Sequence, residues 1–403
     1  MKLNKSGNTS IKEPLIRVAK RDKLKWWQNI LFYVGAILIA LIVGGIFISA
    51  IGQNPFSYYA QVIAGNFTNN IYIKHYLEII VPLLITSLGV SVAFKMKFWN
   101  IGGEGQFIMG AIMAATLATV IGDTLPSWLT IIIVLLFGII GGGLFGAMVA
   151  ILKVKFNTNE TLLTLMLNYV ALYLLAYFKN VDFYKQLDVG AFLDFRKLPK
   201  NAWLPTIGSG IFTFDITIIF ALIMVVLLFF YYNYTKHGYE INVIGDSPNT
   251  ARYAGMNVKW IIIRTAFLSA GIIGLAGAFH VIGSSANHML SENITGGVGW
   301  TGIIVAWLAK LNPFGILIAT GLLGLLQNGS SVAESTMHIS SSSADIIQGI
   351  ILFTVLAMDF FVRFKVIIRK KNKNGENTVE VEENKVVSDN VVTSEISKEE
   401  VTE

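Results

Sequence analysis

Long apolar runs, each closed by a short polar or glycine-rich cluster, fill the chain from about residue 30 to residue 361. The first five fall near Ile30–Ile51, Leu77–Phe94, Gln106–Ile121, Trp128–Leu152 and Thr161–Phe178. Five more follow near Ile211–Tyr231, Ile261–Val281, Val298–Leu308, Phe314–Gln327 and Ile346–Phe361. None alternates with the period of two that a barrel strand needs, and most approach the ~20 residues with which a helix crosses a bilayer. The pattern therefore predicts an all-α polytopic membrane protein with about ten transmembrane helices. The eighth and ninth runs are short for full crossings, so a re-entrant hairpin is the alternative for that pair.

Composition narrows the class. Of 403 residues, 54% are hydrophobic and only 14% charged, where a soluble domain carries about 25% charged residues. The net charge is +6, but the stretch from Lys370 to Glu403 holds 5 basic and 9 acidic residues, which leaves +10 on the remainder. A basic membrane body follows from Lys and Arg collecting on the cytoplasmic side and says little about nucleic acid, so no nucleic-acid partner is expected. Under strict alternation of ten spans, the basic residues of the N-terminus, Lys95/Lys97, Lys153/Lys155, 236–259, Lys310 and Arg363–Lys373 share one side. Both termini are then cytoplasmic, and the segment 179–210 lies outside.

Three regions result: a basic cytoplasmic N-terminus at 1–28, a membrane domain at 29–363 and a polar tail at 370–403. The tail has no apolar period and is expected to be disordered. The first apolar run exceeds the ~7–15 residues of a signal-peptide core, so it reads as a retained span. With no cysteine and five scattered histidines, neither disulfides nor a metal centre is expected. No G-x-x-x-x-G-K-[ST] occurs, so the chain has no phosphate-cradling loop of its own.

Two glycine-rich breaks resemble each other, Asn100-Ile101-Gly102-Gly103-Glu104-Gly105-Gln106 and Asn293-Ile294-Thr295-Gly296-Gly297-Val298-Gly299-Trp300. They follow the second and the seventh runs, on opposite predicted sides, as an inverted five-plus-five repeat would place them. Broken helices at matching places in two halves point to a translocation site, because opened backbone must face protein or water. The competing reading is chance likeness between glycine-rich membrane turns.

Three segments carry a family resemblance: Phe98–Gln106; Glu160-Thr161 with Thr164-Leu165-Met166-Leu167-Asn168-Tyr169; and Gly245-Asp246-Ser247-Pro248-Asn249-Thr250-Ala251-Arg252-Tyr253-Ala254-Gly255-Met256-Asn257. From Leu31 to Arg363 the chain resembles an ABC-importer permease of the branched-chain amino acid, ribose and nucleoside superfamily, most closely its purine-nucleoside permeases. Trp99 and Gly103 depart from the commoner form of the first motif. The resemblance implies a fold like that of the vitamin B12 importer. It also implies a separate ATPase holding ATP and Mg, a second permease subunit, an extracellular substrate-binding lipoprotein and a bacterial cell membrane. The 236–259 loop would be the coupling loop, with Gly245, Asp246, Pro248, Arg252, Ala254 and Gly255 at the ATPase. Ser247-Pro248 reads as a helix start and Gly255 as its end.

Candidate pathway residues are Trp99, Asn100, Glu104, Gln106, Asn168 and Trp300, and each has a structural reading beside the functional one. An intramembrane carboxylate such as Glu104 marks function by default, but with Asn100 as cap it also suits a positive first helical turn. The amides of Gln106 and Asn168 suit a base edge or a sugar hydroxyl, and equally a bond between helices. Trp99 and Trp300 offer faces for base stacking, against the general gathering of tryptophan at membrane boundaries. No catalytic constellation is in view. An importer permease is therefore expected rather than a membrane enzyme, with an ion-coupled carrier as the rival.

Overall fold

The computed structural model describes residues 16–20, 26–186, 194–209, 212–283, 287–340 and 342–368. The tail expected to be disordered, 370–403, lies outside the described residues, as does most of the 1–28 segment. The chain divides into two compact units, Met1–Phe32 with Ala357–Glu403, and Tyr33–Leu356. In the first, β1 (Ile16–Lys20) pairs antiparallel with β4 (Phe364–Ile368), Ile16 opposite Ile368. This ribbon departs from an all-helical expectation, since the alternation in so short a basic segment gives no strand signal on its own.

The second unit is helical. α1 (Trp26–Ala50) starts in the first unit and continues into the second, where α2 (Pro55–Ala64), α3 (Asn70–Lys95), α4 (Gly103–Ile121), α5 (Ser127–Phe156) and α6 (Glu160–Phe178) follow. A small hairpin, β2 (Thr206–Ser209) with β3 (Phe212–Asp215), precedes α7 (Thr217–Tyr234). Then come α8 (Lys236–Asp246), α9 (Pro248–Tyr253), α10 (Val258–Ile282), α11 (Val298–Leu308), α12 (Pro313–Met337) and α13 (Ser342–Arg363). Several starts are written locally. Asn54, Ser247 and Asn312 each accept bonds from the first-turn amides while a proline follows at the first helical position, the pairing of cap and pre-set φ that favours initiation.

Among the described residues, seven helices are long and apolar enough to cross a membrane, or eight if the pair Val34–Ala50 and Pro55–Phe67, bent by 114°, is one span. The sequence predicts ten. The difference has three sources: α1, which covers the first run, counts only as a bent pair with the helical stretch after it, α11 has only 11 residues, and the described apolar part of α13 is short. α12, by contrast, has 25 residues rather than the expected fourteen-odd and is a full-length helix, which limits the hairpin alternative to α11. The sixth span starts at Thr217 and not near Ile211, because Phe212–Asp215 is paired as a strand.

The most enclosed helices are α3 and α10, with 78% and 67% of their apolar windows buried, while α6 and α7 are peripheral at 22% and 28%. α4, α5 and α10 touch backbone to backbone. A methyl group at Gly110, Gly142 or Gly274 would overlap main-chain atoms of a neighbouring helix, so glycine at these three places sets the interaxial distance and maximises van der Waals contact where lipid gives no hydrophobic drive.

The loops sort to two ends. At one, Gly245 abuts the Lys95 carbonyl, Lys153 pairs with Glu160, and Glu240 bonds Arg264 at 2.9 Å. At the other, Gly122 abuts Pro199, Leu198 and Leu204 bond the backbone of His288 and Ile282, and Lys179 pairs with Glu292 at 2.8 Å. The first is the end where basic residues were grouped by alternation, and it is called the basic end below.

Candidate functional site

α3 ends at Lys95 and the chain turns back through 96–102, with Lys97 at φ 58°, before α4 begins at Gly103. Gly102, the residue before α4, has no capping side chain, so Asn100 does not cap this helix from its own strand of chain as expected. Asn100 Oδ1 instead accepts from Gly102 N at 3.1 Å and from Gln106 Nε2 at 2.8 Å, while its Nδ2 donates to Gln106 Oε1 at 2.9 Å. The two amides thus form a reciprocal pair, both all but fully buried.

The missing cap comes from another helix. Asn168 of α6 accepts from Gly105 N at 2.9 Å and donates to Ile101 O at 2.9 Å, and Thr164, one turn earlier, accepts from Ile101 N at 3.1 Å. The break therefore hangs on α6 by three bonds, each satisfying a backbone group that hydrocarbon could not.

Glu104 repeats the device one step on. Its Oε1 accepts from Gly299 N at 2.9 Å and Trp300 N at 3.3 Å, the second and third residues of α11, and Thr295 adds a side-chain bond. The residue before α11, Gly297, is left-handed at φ 78° and brings no capping side chain of its own. So the second break, whose likeness to the first was read from sequence, meets it directly. A methyl group at Gly103 would stand 3.2 Å from Gly299 Cα, and one at Gly299 would overlap the backbone of Glu104. Two positive helix ends converge here, and a single buried carboxylate lies between them, the sign that the helix dipole favours.

Of the six sequence-designated pathway residues, four are thus structural members of one joint: Asn100, Glu104, Gln106 and Asn168. The two tryptophans are the accessible ones, Trp99 at 41% and Trp300 at 42% exposure. Trp99 stacks on Trp307 at 5.4 Å and 18°, and leans on Phe94. Thr164 and Thr295 lie in the quoted motifs but were not named as site residues, and Trp307 was not anticipated at all. Thr164 had a signal, since it lies one turn from Asn168 on the same helical face.

The 236–259 loop is two helices where one was expected. α8 went unread because its apolar residues are few, but α9 is as anticipated: Ser247 Oγ accepts from Thr250 N at 3.3 Å, Pro248 opens the helix and Gly255 follows its end at φ 74°. Arg252, Tyr253, Ala254 and Gly255 are exposed, Gly245 is packed on the end of α3, and Asp246 closes α8. Through Gly245 and through Glu240–Arg264, this loop grips the basic ends of α3 and α10, the two helices that run into the breaks. At the opposite end His288 stacks on Trp203 at 4.0 Å, and burial holds its imidazole below the usual histidine range. Among the described residues no cluster of three or more His, Asp or Glu could hold a metal.

Residues 72–356 match the family described as branched-chain amino acid transport system, permease component. The guanosine ABC transporter permease protein NupP of Bacillus subtilis is 29% identical over 88% of this chain and all of its own length. The nucleoside ABC transporter permease protein NupB of Lactococcus lactis is 28% identical over 85% of this chain and 92% of its own. The glucose ABC transporter permease protein TsgB13 of Haloferax volcanii follows at 26% over 82% and 88%. No solved structure matches. With its polytopic helices, its two joined breaks and a match covering most of the membrane domain, the chain belongs to the family of permease components of branched-chain amino acid transport systems.

Proposed function

We propose that this chain is the permease subunit of an ATP-driven importer that carries nucleosides across a bacterial cell membrane. The observation that carries the reading is the joint at Glu104. There, irregular backbone from both halves of the chain meets inside a helical bundle, and such backbone is tolerated only against protein or along a watery route. The names of the relatives from Bacillus subtilis and Lactococcus lactis supply the cargo class. A nucleoside also suits the lining, being flat and uncharged where the spans hold few basic residues.

In this reading Trp99 and Trp300 border the route, and Asn100, Glu104, Gln106 and Asn168 hold its framework rather than the cargo. α9 docks a separate ATPase, which holds ATP and Mg. Movement of α9 reaches α3 and α10 through α8, so nucleotide-driven displacement at the basic end bears on both breaks together. The basic end is cytoplasmic, with both termini there; the bundle has ten membrane segments in a vitamin B12 importer-like arrangement once the bent α1–α2 pair, the half-length α11 and α13 are counted with the seven full-length helices. A second permease subunit completes the channel. In support, Lactococcus lactis holds two separately named nucleoside permeases, NupB and NupC, that both resemble this chain. An extracellular binding lipoprotein delivers the cargo, and the channel itself binds weakly enough to release it.

A simple sugar is the second reading, favoured by the glucose permease among the relatives. Uptake of radiolabelled guanosine by the full complex in vesicles separates the two. ATP-dependent uptake competed by other nucleosides and not by glucose or leucine is expected. Competition by glucose alone transfers the cargo assignment to sugars, and uptake by this chain without an ATPase would make it an ion-coupled carrier instead.

A further inference from the structure

The outward face of α6 exposes Leu162, Met166 and Val170, as a lipid-facing surface would, but it also carries three tyrosines. Tyr169, Tyr173 and Tyr177 follow one another at four-residue intervals and are 52%, 70% and 64% exposed. None of the three hydroxyls has a hydrogen-bond partner among the described residues. The ends of the helix are fixed at the two ends of the bundle, by Lys153–Glu160 on the basic side and by Lys179–Glu292 on the other. At 1.5 Å per residue, Tyr169 then lies about 14 Å and Tyr173 about 20 Å along a helix of about 28 Å. Tyr177 alone fits the aromatic belt of a membrane boundary.

The rest of the molecule provides the control. Between their end turns, the exposed residues of α5 include Ile132, Leu136, Ile140, Leu144 and Met148, and those of α7 include Ile219, Ile223, Val226 and Leu227. Those faces carry hydrocarbon alone. A hydroxyl at mid-depth in lipid has nothing to bond, and tyrosine places its polar tip where one side is wet. The same helix also supplies the side chains that hold the first break, and Tyr169 directly follows Asn168.

We propose that Tyr169, Tyr173 and Tyr177 form an aromatic ladder lining the route for a nucleoside where the second permease subunit closes over the outward face of α6, with ring faces to stack the base and hydroxyls to meet the sugar. This rests on the nucleoside-importer reading and names the side chains that would contact the cargo. Rungs about 6 Å apart along the helix axis let a base pass from one ring to the next without meeting a deep well. Stacking on aromatic rings tolerates any base, so the ladder favours nucleosides as a class and leaves the choice among them to the binding protein.

The chain has no cysteine, which makes the test direct. Tyr173→Cys and the lipid-face control Val226→Cys are introduced singly into the full complex and exposed to a small water-soluble thiol reagent. A thiolate forms only where water reaches, so labelling at 173 at least tenfold faster than at 226, slowed by excess guanosine, is expected. In parallel, Tyr173→Ala should lower guanosine uptake at least tenfold and Tyr173→Phe less, with ATPase association unchanged. Thiols equally unreactive at both sites, or labelling at 173 that guanosine leaves unaltered, would overturn the ladder while the complex still takes up nucleosides. A wild-type complex that takes up no nucleoside would instead remove the cargo reading on which the ladder rests.

Discussion

Glu104 serves two helices at once: it sits in the first turn of α4 and bonds the first turn of α11. Removing its carboxylate leaves the buried amide of Gly299 and the part-buried amide of Trp300 without that acceptor, at a cost of about 1–3 kcal/mol. Glu104→Ala should therefore lower the unfolding temperature of the purified complex and cut uptake, whereas Glu104→Gln, which keeps an oxygen acceptor, should retain most of both. Gly299→Ala should be worse than Gly103→Ala, because the first places a methyl group over Glu104 backbone and the second stands 3.2 Å from Gly299 Cα. Equal melting behaviour for the two alanine variants would show that the close approach is not what holds the joint. The sequence made Glu104 legible as an acidic first-turn residue, but its bonds reach 195 residues along the chain. No local period encodes such a partner, which is also why Asn100 looked like a cap and proved to be half of an amide pair.

At the level of elements, the outcome depended on how strongly each one was written locally. α9 was readable from Ser247, Pro248 and Gly255 because cap, start and stop all lie within nine residues. α2 was not, since Asn54-Pro55 opens it well but Tyr58, Tyr59 and Gln61 dilute a ten-residue stretch already too short to span. α12 was cut short at Gln327 because Asn328 and Ser330 are polar, yet both are buried against α2 and the turn that follows it, Asn328 bonding Asn66 at 2.6 Å and Ser330 bonding Tyr58. Tertiary partners made those positions helical, and a single-sequence pattern cannot see them. The exposed surface of α9 has a direct consequence for assembly. Arg252→Glu or Ala254→Trp should abolish copurification of the ATPase while the variant still inserts in the membrane, and unchanged copurification with both would place the docking surface elsewhere.

Across the whole molecule, charge alternation and contacts agree in sorting loops to two ends, although they use different information. A test of which end is which needs only two sites. In the cysteine-free chain, Lys200→Cys should react with an impermeant maleimide in intact cells, and Tyr253→Cys, at a position 93% exposed, only after permeabilisation. The reverse pattern would invert the orientation. The bond between Glu104 and α11 also sets a timetable. α11, at 11 residues, is too short to be recognised as a crossing segment when it leaves the ribosome, and its first amides find their acceptor on a helix 195 residues earlier in the chain. It cannot partition into lipid on its own merits, so it must be drawn sideways into a groove that the earlier half has already folded. The first half of this permease is for that reason the template on which the second is completed, and a change that spoils the groove around Glu104 should leave α11 unseated in the bundle.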